Sequence, residues 1–290
     1  MKAWILASRP KTLPAAAIPV GVGSALAYAE DLFSWVPALI CLGFALLVQI
    51  GTNFVNDYLD FQKGSDREDR IGPARAVASG WVSAIAMKRA SIIVLAAAFC
   101  LGLGLIPYGG WWLLAVGVIS ILCAYLYTGG PYPLAYHGLG DLFVVVFFGW
   151  VAVGCSYYVQ TGHISREALA LGLGVGLLVN NILVINNYRD ADQDRVSGKK
   201  TLAVRFGRGV ALLQYQISVV LASLVPLYLF LSGYSEWVLL GCITYPLGRF
   251  LTFRISQMKI DRSFNRALGW TSGLLVLYGL LVGVGLVVGG

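Results

Sequence analysis

Two stretches of this 290-residue chain concentrate the residue types that can do chemistry. The first, QIGTNFVNDYLDFQKGSDREDR, begins at Gln49. If it is helical, Asn53, Asn56, Asp57 and Asp60 recur every three or four residues and share one face. Asp66 follows after a turn at Gly64. The second, NNILVINNYRDADQDRVSGKK, begins at Asn180 and repeats the pattern with Asn186, Asn187, Asp190 and Asp194. A regular helix turns Asp192 away from that face, and Gly198, Lys199 and Lys200 follow at a turn. Carboxylates and amides make an all-oxygen donor set, which suits Mg²⁺, an ion that takes few carboxylates and completes its shell with water and phosphate. His137 and His163 are the only histidines, which argues against zinc or iron. Arg67, Arg189 and Lys199, interleaved with the acids, suit the oxygens of a diphosphate. Together the pattern fits stabilisation of a departing diphosphate. Asp192, Glu68 and Asp69 read individually as members of a solvated surface.

A third stretch, YTGGPYPLAYHGLGD, begins at Tyr127 and contains no Lys or Arg. Tyr132, Tyr136 and the backbone amides there could hold an aromatic or carboxylated second substrate, with Asp141 at its end. A tight interhelical turn with interfacial tyrosines reads equally well.

The elements that must position these groups are membrane helices. Hydrophobic residues make up 58% of the chain and charged residues 12%. A bilayer core about 30 Å thick needs about 20 apolar residues per helix, and the apolar blocks meet that length. Nine spans are expected, near 12–29, 36–57, 89–106, 111–128, 139–159, 167–187, 209–231, 236–255 and 268–288. Every basic residue except Arg166 then falls on one side, which the positive-inside rule makes cytoplasmic. The N-terminus is expected in the cytoplasm and the C-terminus outside, in an all-α polytopic membrane protein with one domain over 1–290. NDYLD and NNYRD, four spans apart, suggest pseudo-repeat halves near 1–135 and 136–266. The net charge of +7 sits at the ends of apolar blocks, where it meets lipid headgroups and not nucleic acid. The five cysteines lie inside apolar blocks and show no metal or disulfide spacing. No cleavable signal pattern opens the chain.

Four stretches together resemble the UbiA-type intramembrane prenyltransferases: RPKTLPAAAIPVGVG, NDYLDFQKGSDREDRIGP, YTGGPYPLAYHGLGDLFVVVFFG and NNYRDADQDRVSGKKTLAVRFG. The resemblance implies a nine-helix bundle around a central cavity that opens to lipid, with Mg²⁺ between the two acidic motifs. It implies Asn56, Asp57 and Asp60 as ligands with Asp66 close by, and Asp190 and Asp194 with Asn187 near them. Lys199 and Arg189 become diphosphate contacts, and Asp141 lies near the aromatic acceptor. The catalytic carboxylates are then Asp57, Asp60, Asp190, Asp194 and Asp141, and the substrate contacts include Asn53, Arg67, Tyr132, Tyr136 and Asn187. The GGPYPL and SGKKTLAVR segments resemble the branch that prenylates 1,4-dihydroxy-2-naphthoate from a polyprenyl diphosphate with loss of CO₂, in menaquinone synthesis. An acceptor such as 4-hydroxybenzoate is the alternative. The implied location is the bacterial plasma membrane, with the active site facing the cytoplasm. Phe54, Tyr58, Phe147, Phe148, Trp150 and Tyr188 are candidates to stabilise a carbocation through their π faces.

A cation-coupled transporter is the main rival. Transporters place their sites near the bilayer midplane, whereas these acids lie at helix ends on one side. A CDP-alcohol phosphotransferase would need its aspartates downstream of Ala74-Arg75, the reverse of the order here.

Overall fold

The computed structural model describes residues 1–64 and 71–290. Asp66 and Arg67 lie outside the described residues. Those described residues are helical, with no β-strand among them.

A short helix α1 (Lys2–Ala7) leads through Arg9 into α2 (Pro14–Ala29). There follow α3 (Trp35–Gln62), α4 (Ala84–Leu103) and α5 (Trp112–Leu126). Next come α6 (Gly140–Thr161), α7 (Arg166–Val196), α8 (Arg208–Leu231), α9 (Glu236–Ser256) and α10 (Asn265–Gly289). Each expected span falls on one of α2 to α10. Among the described residues, seven helices are long and apolar enough to cross a membrane, and an eighth arises if Lys2–Thr12 and Pro14–Ala29, bent by 50°, count as one span. Helix α5 has only 15 residues, because the chain breaks at Gly110 (φ 83°) before it and turns at Gly130 (φ 74°) after it.

The clearest difference from the expected spans is at the ends of α3 and α7. Both helices run on past the apolar stretch, to Gln62 and Val196, and so keep their acidic clusters in regular helix. That continuation makes the three-to-four spacing of the acids a real face. Helix α7 is the core of the bundle: 72% of its apolar window is buried, against 22–44% in the other six long helices. It packs on α2, α6, α8 and α10.

Close approach of α6 to α7 depends on glycine. A Cβ at Gly149 would lie 2.3 Å from the Gly172 carbonyl oxygen, and one at Gly176 would lie 2.8 Å from the Val145 carbonyl oxygen. Small residues let membrane helices pack at this distance. Across the same stretch, Val145–Val151, α6 widens into a π-helix, a form that often marks functional positions. Phe147 and Phe148 within it, and Phe143 just before it, face the interior.

Candidate active site

The ends of α3 and α7 face each other across a cavity of about 390 Å³. Its polar mouth is lined by Asn53, Asn56, Asp60, Asn187, Asp190 and Asp194. Its deeper walls are apolar and include Cys41, Phe44, Val48, Phe99, Leu113 and Phe147. Cys41 and Asp60 both line it, so the cavity follows about 28 Å of α3 at 1.5 Å per residue.

Asp60 is 6% exposed. Its Oδ2 lies 3.4 Å from Nη2 of Arg75, while Oδ1 is buried with no hydrogen-bond partner among the described residues. A buried carboxylate oxygen left bare is costly, and a divalent cation would satisfy it. Asn56, one turn earlier, lines the same mouth, with its Oδ1 accepting from Thr128 Oγ1 at 2.6 Å.

Asp57 departs from its expected place as a ligand. It is 1% exposed and does not line the cavity; its Oδ2 accepts from the Ala76 amide at 3.1 Å and its Oδ1 from the Val77 amide at 3.0 Å. Both oxygens are therefore spent on fixing the turn that carries Arg75 to Asp60. Asn53 lines the cavity, but its amide donates to the Ser8 carbonyl at 2.9 Å and to Thr12 Oγ1 at 3.3 Å. It holds down the segment bearing Arg9, which also lines the cavity from a left-handed backbone conformation (φ 52°).

The second cluster is built differently. Arg189 is 2% exposed and does not line the cavity, contrary to the expectation of a diphosphate contact. Its Nε and Nη2 donate to the two oxygens of Asp190, each at 2.6 Å. Nη2 also donates to Asn186 Oδ1 at 3.0 Å, and Nη1 to Asn265 Oδ1 at 2.8 Å. Asn265 in turn donates to the Ile71 carbonyl at 2.9 Å. So Arg189 orients Asp190, and Asn265 joins that pair to the chain that follows the first cluster.

Asp194 pairs with Lys199, Oδ1 to Nζ 3.3 Å. Burial alone would lower the Lys199 ammonium, but the Asp194 and Asp60 carboxylates, with help from Tyr136, outweigh it and raise its pKa above the ordinary lysine value.

Asp141 also lines the cavity, at the start of α6. Its Oδ1 accepts from Asn180 Nδ2 at 3.0 Å and Gln214 Nε2 at 2.8 Å. Tyr127, Tyr136 and Thr128 line the same cavity. Tyr132 does not: it is 55% exposed and stacks on His137 at 3.4 Å between ring centroids. Of the aromatics expected near a cation, Phe147 and Phe148 line the cavity. Phe54 packs on Trp4, Tyr188 stacks on Phe264, Tyr58 is buried outside the cavity wall, and Trp150 donates to the Leu169 carbonyl.

Sequence reasoning singled out neither Arg9, Arg75 nor Tyr127 as site residues. The only signal for the first two was a basic residue bordering an apolar block or an acidic motif. Gln214 and Asn180, which hold Asp141, carried no signal beyond being polar inside apolar spans, where such residues are costly.

The donor set fits a hard divalent cation. Asn56 and Asp60 from α3 and Asn187, Asp190 and Asp194 from α7 are all oxygen donors on one mouth, and Asp60 offers a bare buried oxygen. Among the described residues no three acidic, His or Cys side chains close into a metal cage of their own. Mg²⁺ needs none, since substrate phosphates and water complete its shell.

Residues 16–270 match the model of the UbiA prenyltransferase family. A 1,4-dihydroxy-2-naphthoate octaprenyltransferase of Haemophilus influenzae is 35% identical, covering 100% of this chain and 97% of its own. The protein of the same description from Escherichia coli is 41% identical over 85% of this chain and 82% of its own. Among solved structures, a UbiA homologue from Archaeoglobus fulgidus bound to GPP and Mg²⁺ superposes with a TM-score of 0.70 at 16% identity, covering 97% of this chain and 99% of its own. That likeness concerns the fold.

Proposed function

The chain belongs to the UbiA prenyltransferase family, and from that premise we propose that it transfers a polyprenyl group from an allylic diphosphate to 1,4-dihydroxy-2-naphthoate, releasing diphosphate and CO₂ to give demethylmenaquinol, the reduced form of demethylmenaquinone. The observation that carries the proposal is the joining of two acidic helix ends, with Lys199 and Arg75, to a long apolar cavity. A diphosphate needs the first and an isoprenoid chain needs the second. The relatives described as 1,4-dihydroxy-2-naphthoate octaprenyltransferases support the choice of acceptor.

Asp60, Asn56, Asp190 and Asp194, with Asn187 beside them, would hold Mg²⁺; Asp66 is a further candidate. Bound there, Mg²⁺ supplies positive charge to the oxygens of the leaving diphosphate. Lys199 and Arg75 add donors to the same anion, while Arg189 fixes the orientation of Asp190. The allylic C–O bond breaks with its electron pair going to diphosphate. Phe147, Phe148 and Phe143 line the cavity beyond and stabilise the allylic cation through their π faces, and the apolar walls keep water from it. The ring carbon bearing the carboxylate attacks, forming the new C–C bond. Loss of CO₂ returns an electron pair to the ring, so the step balances without a base. Asp141, pinned by Asn180 and Gln214, borders the acceptor and orients its hydroxyl groups.

The proposal includes nine spans, with α2 and α5 crossing alongside the seven longer helices, and two pseudo-repeat halves near 1–135 and 136–266. All basic residues but Arg166 then lie on the cytoplasmic side of a bacterial plasma membrane, with the acidic mouth facing the cytoplasm. The test gives purified protein Mg²⁺, a polyprenyl diphosphate and either 1,4-dihydroxy-2-naphthoate or 4-hydroxybenzoate. Prenylated product from the naphthoate alone is expected. Product from 4-hydroxybenzoate alone would keep the transfer and overturn the acceptor.

A further inference from the structure

Two lysines, one following each acidic helix end, meet on one aromatic ring. Lys63 caps α3, and its Nζ lies 4.6 Å from the centroid of the Tyr136 ring. Lys199 follows α7, and its Nζ lies 5.3 Å from the same centroid. The ring comes from the segment between α5 and α6, which also holds Lys63 by a second contact: the Lys63 ammonium donates to the Thr128 carbonyl. The Thr128 hydroxyl donates in turn to Asn56 at the first acidic cluster.

The two ammonium groups are thus closer than roughly one Debye length, about 10 Å at 0.1 M salt, and repel. A π face offsets part of that cost. Asp194 offsets more on the Lys199 side. Burial still pulls the Lys63 ammonium below its ordinary value, with Asp60 working against the shift and Lys199 adding to it. Lys63 is exposed and stands just behind the cavity wall, held against Tyr136 and Thr128, which line the cavity with Lys199. If Asp60 and Asp194 give part of their charge to a divalent cation, both lysines lose counter-charge, and an anion with several oxygens is the group that restores it for both.

We propose that Lys63 is a substrate-binding residue that closes, opposite Lys199, on the terminal phosphate of the allylic diphosphate, with Tyr136 and Thr128 as the positioning residues that aim it. The inference rests on the prenyl-transfer reading above. It also gives the segment from Tyr127 to Asp141 a second duty, since that segment presents the ring that sets the two lysines.

The test is calorimetric binding of inorganic diphosphate, in Mg²⁺, to the full-length protein in detergent, alongside separate KM values for donor and acceptor. A hydrogen bond to a charged group contributes about 1.5–3 kcal/mol, so Lys63→Met should weaken diphosphate binding by about tenfold or more. The donor KM should rise in parallel while the acceptor KM holds. Lys63→Arg should recover most of the loss, which a merely misfolded site would not allow. Tyr136→Leu should weaken diphosphate in the same direction by less, and adding it to Lys63→Met should cost little more. Wild-type diphosphate affinity in Lys63→Met, or a loss that falls equally on the acceptor, would overturn the clamp while leaving prenyl transfer intact. A wild-type protein that binds no diphosphate would overturn both.

Discussion

The two acidic helix ends read almost alike as sequence and are unlike as chemistry. At the end of α3, Asp60 presents a buried oxygen with no donor among the described residues, and its neighbour Asp57 is turned away to hold backbone. At the end of α7, Asp190 is gripped by Arg189 through both oxygens and Asp194 is paired with Lys199. The first end leaves one carboxylate oxygen of Asp60 without a donor among the described residues, Arg75 reaching only the other, whereas each acid of the second end has a cationic partner of its own. A cation bound between them would therefore lean on Asp60, while the anionic substrate leans on the basic residues that follow the two ends, Lys63 and Lys199. The lesson is that a repeated motif can be divided between two tasks by what its neighbours supply.

The largest effect should come from the bare side. Asp60→Ala is expected to lower turnover by about a thousandfold or more, the scale of losing a main electrostatic contact in the transition state, with the protein still recovered folded from the membrane. Near-wild-type rates would remove Asp60 from the site and collapse the contrast. Next comes the saturated side. Arg189→Met strands the Asp190 carboxylate, and breaking a buried ion pair costs about 3–5 kcal/mol. Thermal unfolding in detergent should show it as a clear fall in Tm. An unchanged Tm with a raised donor KM would instead mean that Arg189 serves substrate, as the sequence suggested. The smallest effect on catalysis should be at Asp57. Asp57→Ala leaves two buried amides without acceptors, about 1–3 kcal/mol each, so stability should drop while the Mg²⁺ concentration for half-maximal rate stays put. A shift in that concentration with Tm unchanged would make Asp57 a ligand after all.

These contrasts also mark how far the sequence could be read. Apolar block length located the helices, and helical spacing put Asn56 and Asp60, like Asn187, Asp190 and Asp194, on faces that do meet at one mouth. Local periodicity reports which residues share a face of a helix. It does not report what lies opposite that face. Asp57 is held by amides 19 and 20 residues away, and Arg189 is completed by Asn265, 76 residues away. Both contacts depend on tertiary packing that spacing does not encode. Tyr132 and Tyr136 are the same residue type four positions apart, yet the turn sends one to solvent and the other to the cavity. Lys63 reads in the sequence only as one of the basic residues on the cytoplasmic side, because its significance lies in a ring from another segment.

The most direct test of the account is a stoichiometric assay on the purified protein with a polyprenyl diphosphate and 1,4-dihydroxy-2-naphthoate, before and after exhaustive chelation. The account predicts equal amounts of prenylated product, diphosphate and CO₂, loss of all three on chelation, and their return with Mg²⁺. Full turnover in the chelated protein would contradict it.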